Sequence, residues 1–352
     1  MRIRFITAIP FNVLRGSGCY VGIQGLADSL RNLGVEVDFV LPRTHLPVYT
    51  AERLLFNQSL RFRKLEPCDV SVGFDLDGYA VAGRSPVPHI AFIKGVLGDA
   101  VRFERGLTRI SMALQAGWEA RHARRADVVM TDSQYCAGRL RTLYGIRKSI
   151  VVVPELIDLA FWRELFRANP VRRDSRKFIV LSVGRFYARK RIELLLKAAA
   201  LLRNKIPGLE VRIVGGGPEA SRLHEIWRAG NLQPIVKWVG DASRAELARE
   251  YNRADVFCHP SEQEGFGIVL LEAMAAGKPI VAVRASAVPE VAPHAILVEP
   301  GSEHTLAEGI ERFYRNPDLR EELGLRGSVH VENFDAPRVG RQFLTEVEKL
   351  LP

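Results

Sequence analysis

Two glutamates, Glu264 and Glu272, flank an otherwise uncharged stretch that reads EGFGIVLLE. The segment from about residue 267 to residue 276 is apolar on every side, which predicts a buried helix that ends at Gly277. An ionised carboxylate in such a helix must be hydrogen-bonded or paired. A structural arginine or backbone amides would satisfy Glu272 without any ligand.

The loop before this helix favours a ligand instead. Glu264 is followed by Gly265, Phe266 and Gly267, and glycines let a ligand approach the backbone closely. Amide groups at the start of a helix bind anions, and a carboxylate accepts two hydrogen bonds from a diol. Together these features predict a site for a molecule that carries both hydroxyls and phosphates, such as a sugar nucleotide.

Four cations follow the apolar run KFIVLSVG and crowd the predicted N-terminus of the next helix: Arg185, Arg189, Lys190 and Arg191. Cations at this end of a helix oppose its dipole by roughly 0.3–1 kcal/mol each. A bound diphosphate would neutralise them. The alternative is a charged loop that only solvent covers.

These residues lie in a chain in which short apolar runs alternate with longer helical patterns. Each half of the sequence contains six apolar runs of strand length. The pattern predicts an α/β protein with two doubly wound, Rossmann-like domains, each built on a parallel sheet. Ligands bind beyond the carboxyl ends of such strands, so we expect the two domains to face a cleft that contains the site.

The predicted boundary between the domains lies in the polar, charged segment 164–177. We therefore assign residues 1–168 to an N-terminal domain and residues 169–334 to a C-terminal domain that contains the predicted sugar-nucleotide residues. The last segment, residues 335–352, has apolar residues at helical spacing: Val339, Phe343 and Val347. It is predicted to form a helix that docks back on the N-terminal domain.

Composition restricts the class of protein. The 352 residues are 47% apolar and 26% charged, which is typical of a soluble globular protein. The four cysteines form no C-x-x-C pair, so neither a disulfide framework nor a zinc site is expected. No apolar run approaches the roughly 18 residues that a membrane span needs.

The formal net charge of +10 is concentrated in part of the chain. Residues 101–150 contain 10 Lys and Arg against 4 Asp and Glu. Such a balance predicts an anionic partner, which could be phosphates, a membrane surface or nucleic acid. Trp118 beside Arg121, Arg124 and Arg125 is the group expected at this surface. The alternative is a solvated basic face.

The motifs described above resemble those of the retaining glycosyltransferases of family 4, which have the GT-B fold. The stretch EGFGIVLLE has the family's E-x7-E pattern, and Arg185 and Lys190 match an Arg and a Lys five residues apart after the first strand of the second domain. Between Lys190 and Glu264, the family's order and spacing are also matched by three segments: GGGPE, WVG and RADVFCHPS. The resemblance is strong over residues 175–300 and weak over residues 1–160.

The resemblance implies transfer of a sugar from a nucleotide-diphosphate sugar, with retention of configuration and with no metal or other cofactor. It assigns Arg185 and Lys190 to the diphosphate and Glu272 to the ribose. The donor sugar would contact Glu264 and the backbone that follows it: Gly265, Phe266, Gly267 and Ile268. The acceptor would be a glycan, a lipid-linked molecule or a small molecule, and no nucleic acid is expected. We expect a cytoplasmic protein with peripheral contact to the anionic inner face of a membrane.

The resemblance is less complete in the first domain. Gly16 and Gly18, in LRGSGCYVG, match the family's glycine loop near the donor phosphates and the acceptor. Where the family usually has a catalytic His after the fourth strand, this chain has Lys94, which is the residue expected at that contact. Lysine donates to a hydroxyl or a phosphate but cannot act as a neutral imidazole. Glu155 and Leu156 stand where the family often has Asn-Gly.

Three alternative interpretations stay open. Asp75 and Asp77 in GFDLDG resemble the metal-binding pair of the other glycosyltransferase fold, GT-A, but the same pattern is common in turns. A sugar-nucleotide epimerase or hydrolase of similar fold would share the donor site. A catalytically degenerate nucleotide-sugar-binding protein would explain Lys94 at the position of the catalytic His.

Overall fold

The computed structural model describes residues 1–9, 13–43, 46 and 48–351, with the backbone alone for residues 13–17. The described chain divides into two compact units, each built on one six-stranded sheet in which every strand pair is parallel.

In the first unit, strands alternate with helices. The elements are, in chain order, β1 Arg2–Ile6, α1 Val13–Asn32, β2 Glu36–Val40, α2 Tyr49–Ser59, β3 Val70–Phe74, β4 His89–Ile93, α3 Leu97–Ala100, a 3-10 turn Val101–Phe103, α4 Gly106–Arg125, β5 Val128–Thr131, α5 Gln134–Tyr144 and β6 Ile150–Val152. The sheet order is β2-β1-β3-β4-β5-β6. Local chemistry sets helix ends: the Ser133 hydroxyl caps α5 by accepting from the Cys136 amide at 3.1 Å, and Gly145 ends it at a φ of 64°.

The second unit repeats the alternation. Its elements are α6 Leu159–Ala168, β7 Phe178–Val183, a 3-10 turn Ala188–Lys190, α7 Ile192–Leu202, β8 Leu209–Val214, α8 Ala220–Ala229, β9 Val236–Gly240, α9 Arg244–Arg253, β10 Val256–His259, α10 Ile268–Ala275, β11 Ile280–Val283, α11 Val288–Val291, β12 Ile296–Val298, α12 Glu303–Arg315, α13 Pro317–His330 and a 3-10 turn Val331–Phe334. The sheet order is β12-β11-β10-β7-β8-β9. Each of the twelve predicted strands coincides with one of β1 to β12, so the prediction of two Rossmann-like domains is confirmed.

The two units divide at Leu156, twelve residues before the predicted boundary at residue 168. The difference is α6, which belongs to the second unit because its aromatic face packs there. The Trp162 and Phe166 rings each lie 6.2 Å from the Tyr251 ring of α9. The Asn252 amide also donates to the Phe166 carbonyl at 2.9 Å. A polar, charged composition does not reveal such a contact.

The C-terminal helix, α14 Ala336–Glu348, returns to the first unit and packs against α1. Its buried residues Val339, Phe343 and Val347 have the helical spacing seen in the sequence. The Phe343 ring stacks on Phe92 of β4 at 6.1 Å. The Ser29 hydroxyl of α1 donates to the Ala336 carbonyl at 2.6 Å. The core of the first unit therefore contains side chains from both ends of the chain.

Candidate functional site

In the second unit, the loops after β7 and β10 hold the residues that the sequence singled out for chemistry. These two strands are parallel neighbours, so both loops leave the sheet at the same edge. The Arg189 carbonyl joins the loops, because it accepts from the Glu262 amide at 3.0 Å and from the Ser261 hydroxyl at 3.3 Å. The structure thus places the two predicted clusters side by side.

The centre of this edge is an ion pair between the two loops, in which Glu264 is buried and Lys190 is half-buried. Lys190 Nζ lies 2.5 Å from Glu264 Oε1, and His259 Nε2 at the end of β10 lies 2.9 Å from the same oxygen. Burial favours the protonated acid, but Lys190 and His259 outweigh it and hold the pKa of Glu264 well below its usual range. Glu264 is therefore an ionised acceptor with two cationic or proton-donating neighbours.

Sequence reasoning missed two parts of this arrangement. It assigned Lys190 and Glu264 to different parts of a ligand and did not foresee their direct contact. It also passed over His259, although a histidine at the carboxyl end of a parallel strand was a signal that could have found it. Glu264 touches both residues because the loop after β10 folds back over the end of its own strand.

The remaining cations of the cluster differ in how far they are neutralised. Arg191 begins α7 with a φ of 52°, and its guanidinium lies 3.1 Å from Glu262 and 2.8 Å from Glu193. Arg185 Nη1 lies 3.7 Å from the exposed carboxylate of Asp241, a contact that solvent weakens. Arg191 therefore has a structural role, whereas the charge of Arg185 is weakly paired and can bind an anionic ligand.

One glycine keeps the backbone beside Arg185 close-packed. The segment GGGPE follows β8, and its Gly215 has a φ of 117°. A Cβ added at Gly215 would lie 2.1 Å from the carbonyl oxygen of Gly184, the residue before Arg185. Only glycine allows this approach, which fixes the end of β7 against the loop after β8.

The hydrogen-bond partner of Glu272 is a tyrosine and not the arginine that the sequence suggested. The Tyr251 hydroxyl on α9 donates to Glu272 Oε2 at 2.8 Å. Desolvation by the surrounding protein raises the pKa of Glu272 to about 7, although the Tyr251 hydrogen bond and Arg244 favour the ionised form. Near neutral pH the carboxyl is thus divided between its two protonation states.

The prediction that α10 is buried on every side is wrong. Leu270, Leu271, Ala273 and Met274 are buried, but Glu272 shares a half-buried face with Ile268 and Val269. Ile268 and Val269 are apolar, but the core covers their face of the helix only in part. Hydropathy alone cannot distinguish such a face from a core-facing one, and Glu272 is the polar residue on it.

The glycines before α10 shape its N-terminus. Gly267 precedes the helix with a φ of 97°, a conformation that a residue with a Cβ rarely adopts. Phe266 is 4% exposed and packs edge-on against Phe334 at 5.5 Å. The side chain of Phe266 therefore anchors the loop, and the predicted contribution of Gly265, Phe266 and Gly267 to a ligand would come from their backbone.

In the first unit, Lys94 is buried and paired. Its Nζ lies 2.8 Å from Glu155 Oε2, and its amide donates to Asp75 Oδ1 at 2.9 Å. The two departures from the family pattern, Lys94 and Glu155, are thus in direct contact. Either one alone would leave a buried charge unpaired, which is strongly unfavourable.

Gly16 and Gly18 lie in the first turns of α1 and not in a loop, because the helix begins at Val13. Glycine inside a helix costs roughly 0.5–1 kcal/mol relative to alanine. Burial of Ile23, Leu26 and Leu30 on the same helix offsets a cost of that size.

Asp75 and Asp77 lie in a turn after β3, as expected for this pattern. Asp77 is fully buried, and its carboxylate lies 3.0 Å from Arg53 Nε and accepts from the Ala8 amide at 2.7 Å. Both aspartates therefore take part in buried structural contacts. Within the described ranges, no group of three or more His, Cys, Asp or Glu could hold a metal ion.

The Trp118 group of the first unit is partly packed: Trp118 and Arg121 are half-buried, whereas Arg124 and Arg125 are exposed. The Trp118 ring stacks on Tyr79 at 4.4 Å, Arg121 lies over that ring at 5.5 Å, and Arg124 donates to the Tyr144 carbonyl at 2.9 Å. These contacts tie the predicted surface cluster to neighbouring elements. No helix in the described part of the chain is both long and apolar enough to cross a bilayer.

Comparison with known proteins agrees with this geometry. Residues 165–328 match the family described as Glycosyl transferases group 1. The matched segment contains Arg185, Lys190, Glu264 and Glu272, so the group 1 resemblance is confirmed where the site lies. The narrower assignment to family 4 stays a prediction.

Curated relatives match over part of their length. A D-inositol 3-phosphate glycosyltransferase from Pseudarthrobacter chlorophenolicus is 31% identical over 194 residues, which are 52% of this chain and 46% of that protein. A GDP-mannose-dependent mannosyltransferase from Mycobacterium tuberculosis is 28% identical over 219 residues, which are 57% of this chain and 56% of that protein. The chain spans about half the length of the curated relatives it matches.

Solved structures match over nearly the whole chain. Sucrose-phosphate synthase from Thermosynechococcus elongatus has a TM-score of 0.83 at 22% identity, covering 99% of this chain and 98% of that one. HepE from Anabaena, solved in complex with UDP and glucose, has a TM-score of 0.75 at 18% identity, covering 99% and 100%. These likenesses show the GT-B fold.

Proposed function

We propose that the chain is a glycosyltransferase that moves a sugar from a nucleotide-diphosphate sugar to an acceptor. The observation that carries this proposal is the contact of Lys190 with Glu264, beside Arg185, at the ligand-binding edge of the second sheet. The arrangement offers cations for phosphates and an ionised carboxylate for hydroxyls at one place. The match of residues 165–328 to the group 1 family supports it.

The donor diphosphate would bind to Arg185 and Lys190. Its oxygens would compete with Glu264 for the Lys190 ammonium, and Glu264 would then accept hydrogen bonds from the donor sugar. The diphosphate gains negative charge as it leaves, and cations already in place stabilise that charge without reorganisation. Ribose hydroxyls would donate to Glu272 on the half-buried face of α10.

We expect retention of configuration and no need for a metal ion. Arg185, Lys190 and the amides at the start of α10 would supply the positive charge that a metal otherwise brings to the diphosphate. The amides of Gly265 and Gly267 would contact the donor sugar. Gly16, Gly18 and Lys94 of the first unit stay proposed as further contacts to donor or acceptor.

A screen of donors tests the proposal. UDP-glucose, GDP-mannose and ADP-glucose are added to the full chain, and thermal shift identifies the donor that raises the melting temperature. Anomeric proton signals of the product then report retention or inversion. Failure of every nucleotide sugar to shift the transition would contradict the assignment of the second unit to donor binding.

Two other functions would use the same donor site. An epimerase or hydrolase would convert the donor without an acceptor, and product sugar analysis separates these reactions from transfer. A binding protein without activity is favoured by one observation: Lys94 is neutralised by Glu155 and is not available as an imidazole-like group. Donor binding without any turnover would identify it.

We further propose that the acceptor is presented at an anionic lipid surface. The first half of α4 carries three apolar side chains at helical spacing, and Leu107, Ile110 and Leu114 are 84%, 67% and 51% exposed. Exposed arginines lie along and just before the same helix, at Arg102 and Arg109. An apolar stripe beside cations is the pattern of a helix that lies on anionic lipid.

A further inference from the structure

A histidine is the third member of the contact between Lys190 and Glu264 in the second unit. His259 is the last residue of β10, and only 3% of it is exposed. Its ring stacks on Phe257, with centroids 6.2 Å apart and an angle of 17° between the planes. His259 Nε2 lies 2.9 Å from Glu264 Oε1, the same oxygen that Lys190 Nζ contacts at 2.5 Å. One carboxylate oxygen therefore has two nitrogen neighbours.

The contact requires a proton on Nε2 of His259. An ionised carboxylate only accepts hydrogen bonds, and two acceptors 2.9 Å apart would repel each other. Both the charged imidazolium and one tautomer of the neutral ring present an N–H at this atom. Yet Nε2 is buried without a well-aligned hydrogen bond to any residue that the structure describes. His259 is therefore a donor that is close to Glu264 but not fully used while Lys190 contacts the same oxygen.

A bound diphosphate changes this arrangement. Under the proposed function, its oxygens compete with Glu264 for the Lys190 ammonium. Glu264 is only 7% exposed, and removal of the partner of a buried charge is strongly unfavourable. Lys190 has a long flexible stem that can turn toward a ligand, whereas the His259 ring is short and packed on Phe257. His259 is thus the neighbour of Glu264 that can stay in place when Lys190 moves.

We infer that His259 is a positioning residue, which holds the Glu264 carboxylate in place after the donor diphosphate has taken Lys190. This inference rests on the proposed glycosyltransferase function. His259 acts through Glu264 and touches neither the donor nor the acceptor. The N–H of His259 replaces the ammonium as the hydrogen-bond donor to Oε1, so that Glu264 keeps its orientation toward the hydroxyls of the donor sugar.

A double-mutant cycle on the full chain tests this contact without any ligand. Lys190→Met removes the ammonium, and His259→Phe removes the N–H but keeps an aromatic ring against Phe257. Each single variant leaves Glu264 one of its two neighbours, whereas the double variant leaves it neither. The double variant should therefore lower the midpoint of urea unfolding by more than the sum of the two single shifts. The same cycle in a Glu264→Gln background should be additive, because the buried charge is absent.

A second series tests the consequence for turnover. His259→Gln places an amide N–H near the position of Nε2, whereas the shorter side chain of His259→Asn reaches only the position of Nδ1. With the sugar nucleotide found by the donor screen, His259→Phe and His259→Asn should lower kcat/KM by roughly 10- to 100-fold, as for a lost hydrogen bond to a charged group. His259→Gln should recover most of that loss. His304→Gln, at an exposed position of α12, should react like wild type.

The two amide variants separate the N–H from the ring. Loss of the aromatic stack affects Gln and Asn alike, so a difference between their rates reports the donor at the position of Nε2. Equal rates for His259→Gln and His259→Asn, or an additive double-mutant cycle in a protein that binds a sugar nucleotide, would overturn the inference. A non-additive cycle in a protein that binds no sugar nucleotide would support the contact of His259 with Glu264 and contradict the proposed function.

Discussion

Lowering the pH should weaken the binding of a nucleotide sugar, because its ribose is proposed to bind Glu272. Only the ionised carboxylate accepts hydrogen bonds from both hydroxyls of a ribose, because the protonated acid uses one oxygen as a donor. The pKa of Glu272 is raised to about 7, so this change falls within the range where proteins are handled. The sign is fixed: affinity for a nucleotide sugar should rise as the pH passes upward through 7.

The size of the effect follows from the ionised fraction. With a pKa of about 7, the carboxyl is roughly one-tenth ionised at pH 6 and nine-tenths ionised at pH 8. If only the ionised form binds, the dissociation constant should fall about tenfold between these values, or about 1.4 kcal/mol. Tyr251→Phe removes the hydroxyl that donates a hydrogen bond to Glu272 Oε2 and so favours the ionised carboxylate less. The midpoint of the pH dependence of binding should therefore move to higher pH.

Isothermal titration of the donor found in the screen, from pH 6 to pH 8, measures this dependence. A nucleotide sugar is suitable because its diphosphate diester has no group that titrates near neutrality. Glu272→Gln is the matched control, since it keeps the shape of the side chain and should bind weakly with no dependence on pH. The reasoning is refuted if wild-type affinity stays constant across this range, or if Glu272→Gln keeps the wild-type profile.

Three further results are expected. Arg185→Ala and Lys190→Ala should each lower kcat/KM by an amount equivalent to about 2–4 kcal/mol, and steady-state rates near wild type in both would place the diphosphate elsewhere. If these cations take the place of a metal, as proposed, turnover should survive excess EDTA; a loss that Mg²⁺ or Mn²⁺ restores would contradict the proposal. Leu107→Ser combined with Ile110→Ser should reduce sedimentation with phosphatidylglycerol vesicles, whereas Leu325→Ser, which is 65% exposed in the second unit, should not. Equal, negligible binding of wild type to anionic and neutral vesicles would discard the lipid surface.

The strands were predictable because parallel strands are buried on both faces and so form continuous apolar runs. The runs KFIVLSVG and DVFCHP became β7 and β10, and the loops that follow them carry the candidate site. Once the strands are known, the topology of a parallel sheet brings these loops to one edge. The shared position of these two loops was therefore predictable from the sequence.

The contacts between residues at that edge could not be predicted from the sequence. Lys190 and Glu264 are 74 residues apart, and their pairing depends on how two irregular loops fold against each other. The pairing of Lys94 with Glu155 depends in the same way on three strands and on a glycine in α1. Hydropathy also made α10 look fully buried, because apolar residues on its open face are indistinguishable from those in the core.

The return of α14 to the first unit has a consequence for how the chain folds. During synthesis, residues 1–156 emerge before residues 157–335, but Val339, Phe343 and Val347 complete their core only when α14 has left the ribosome. The second unit, residues 157–335, is contiguous and can close its own core earlier. The unit that is synthesised before the other is thus completed after it, and loss of α14 would expose the apolar face of α1 more than 300 residues upstream.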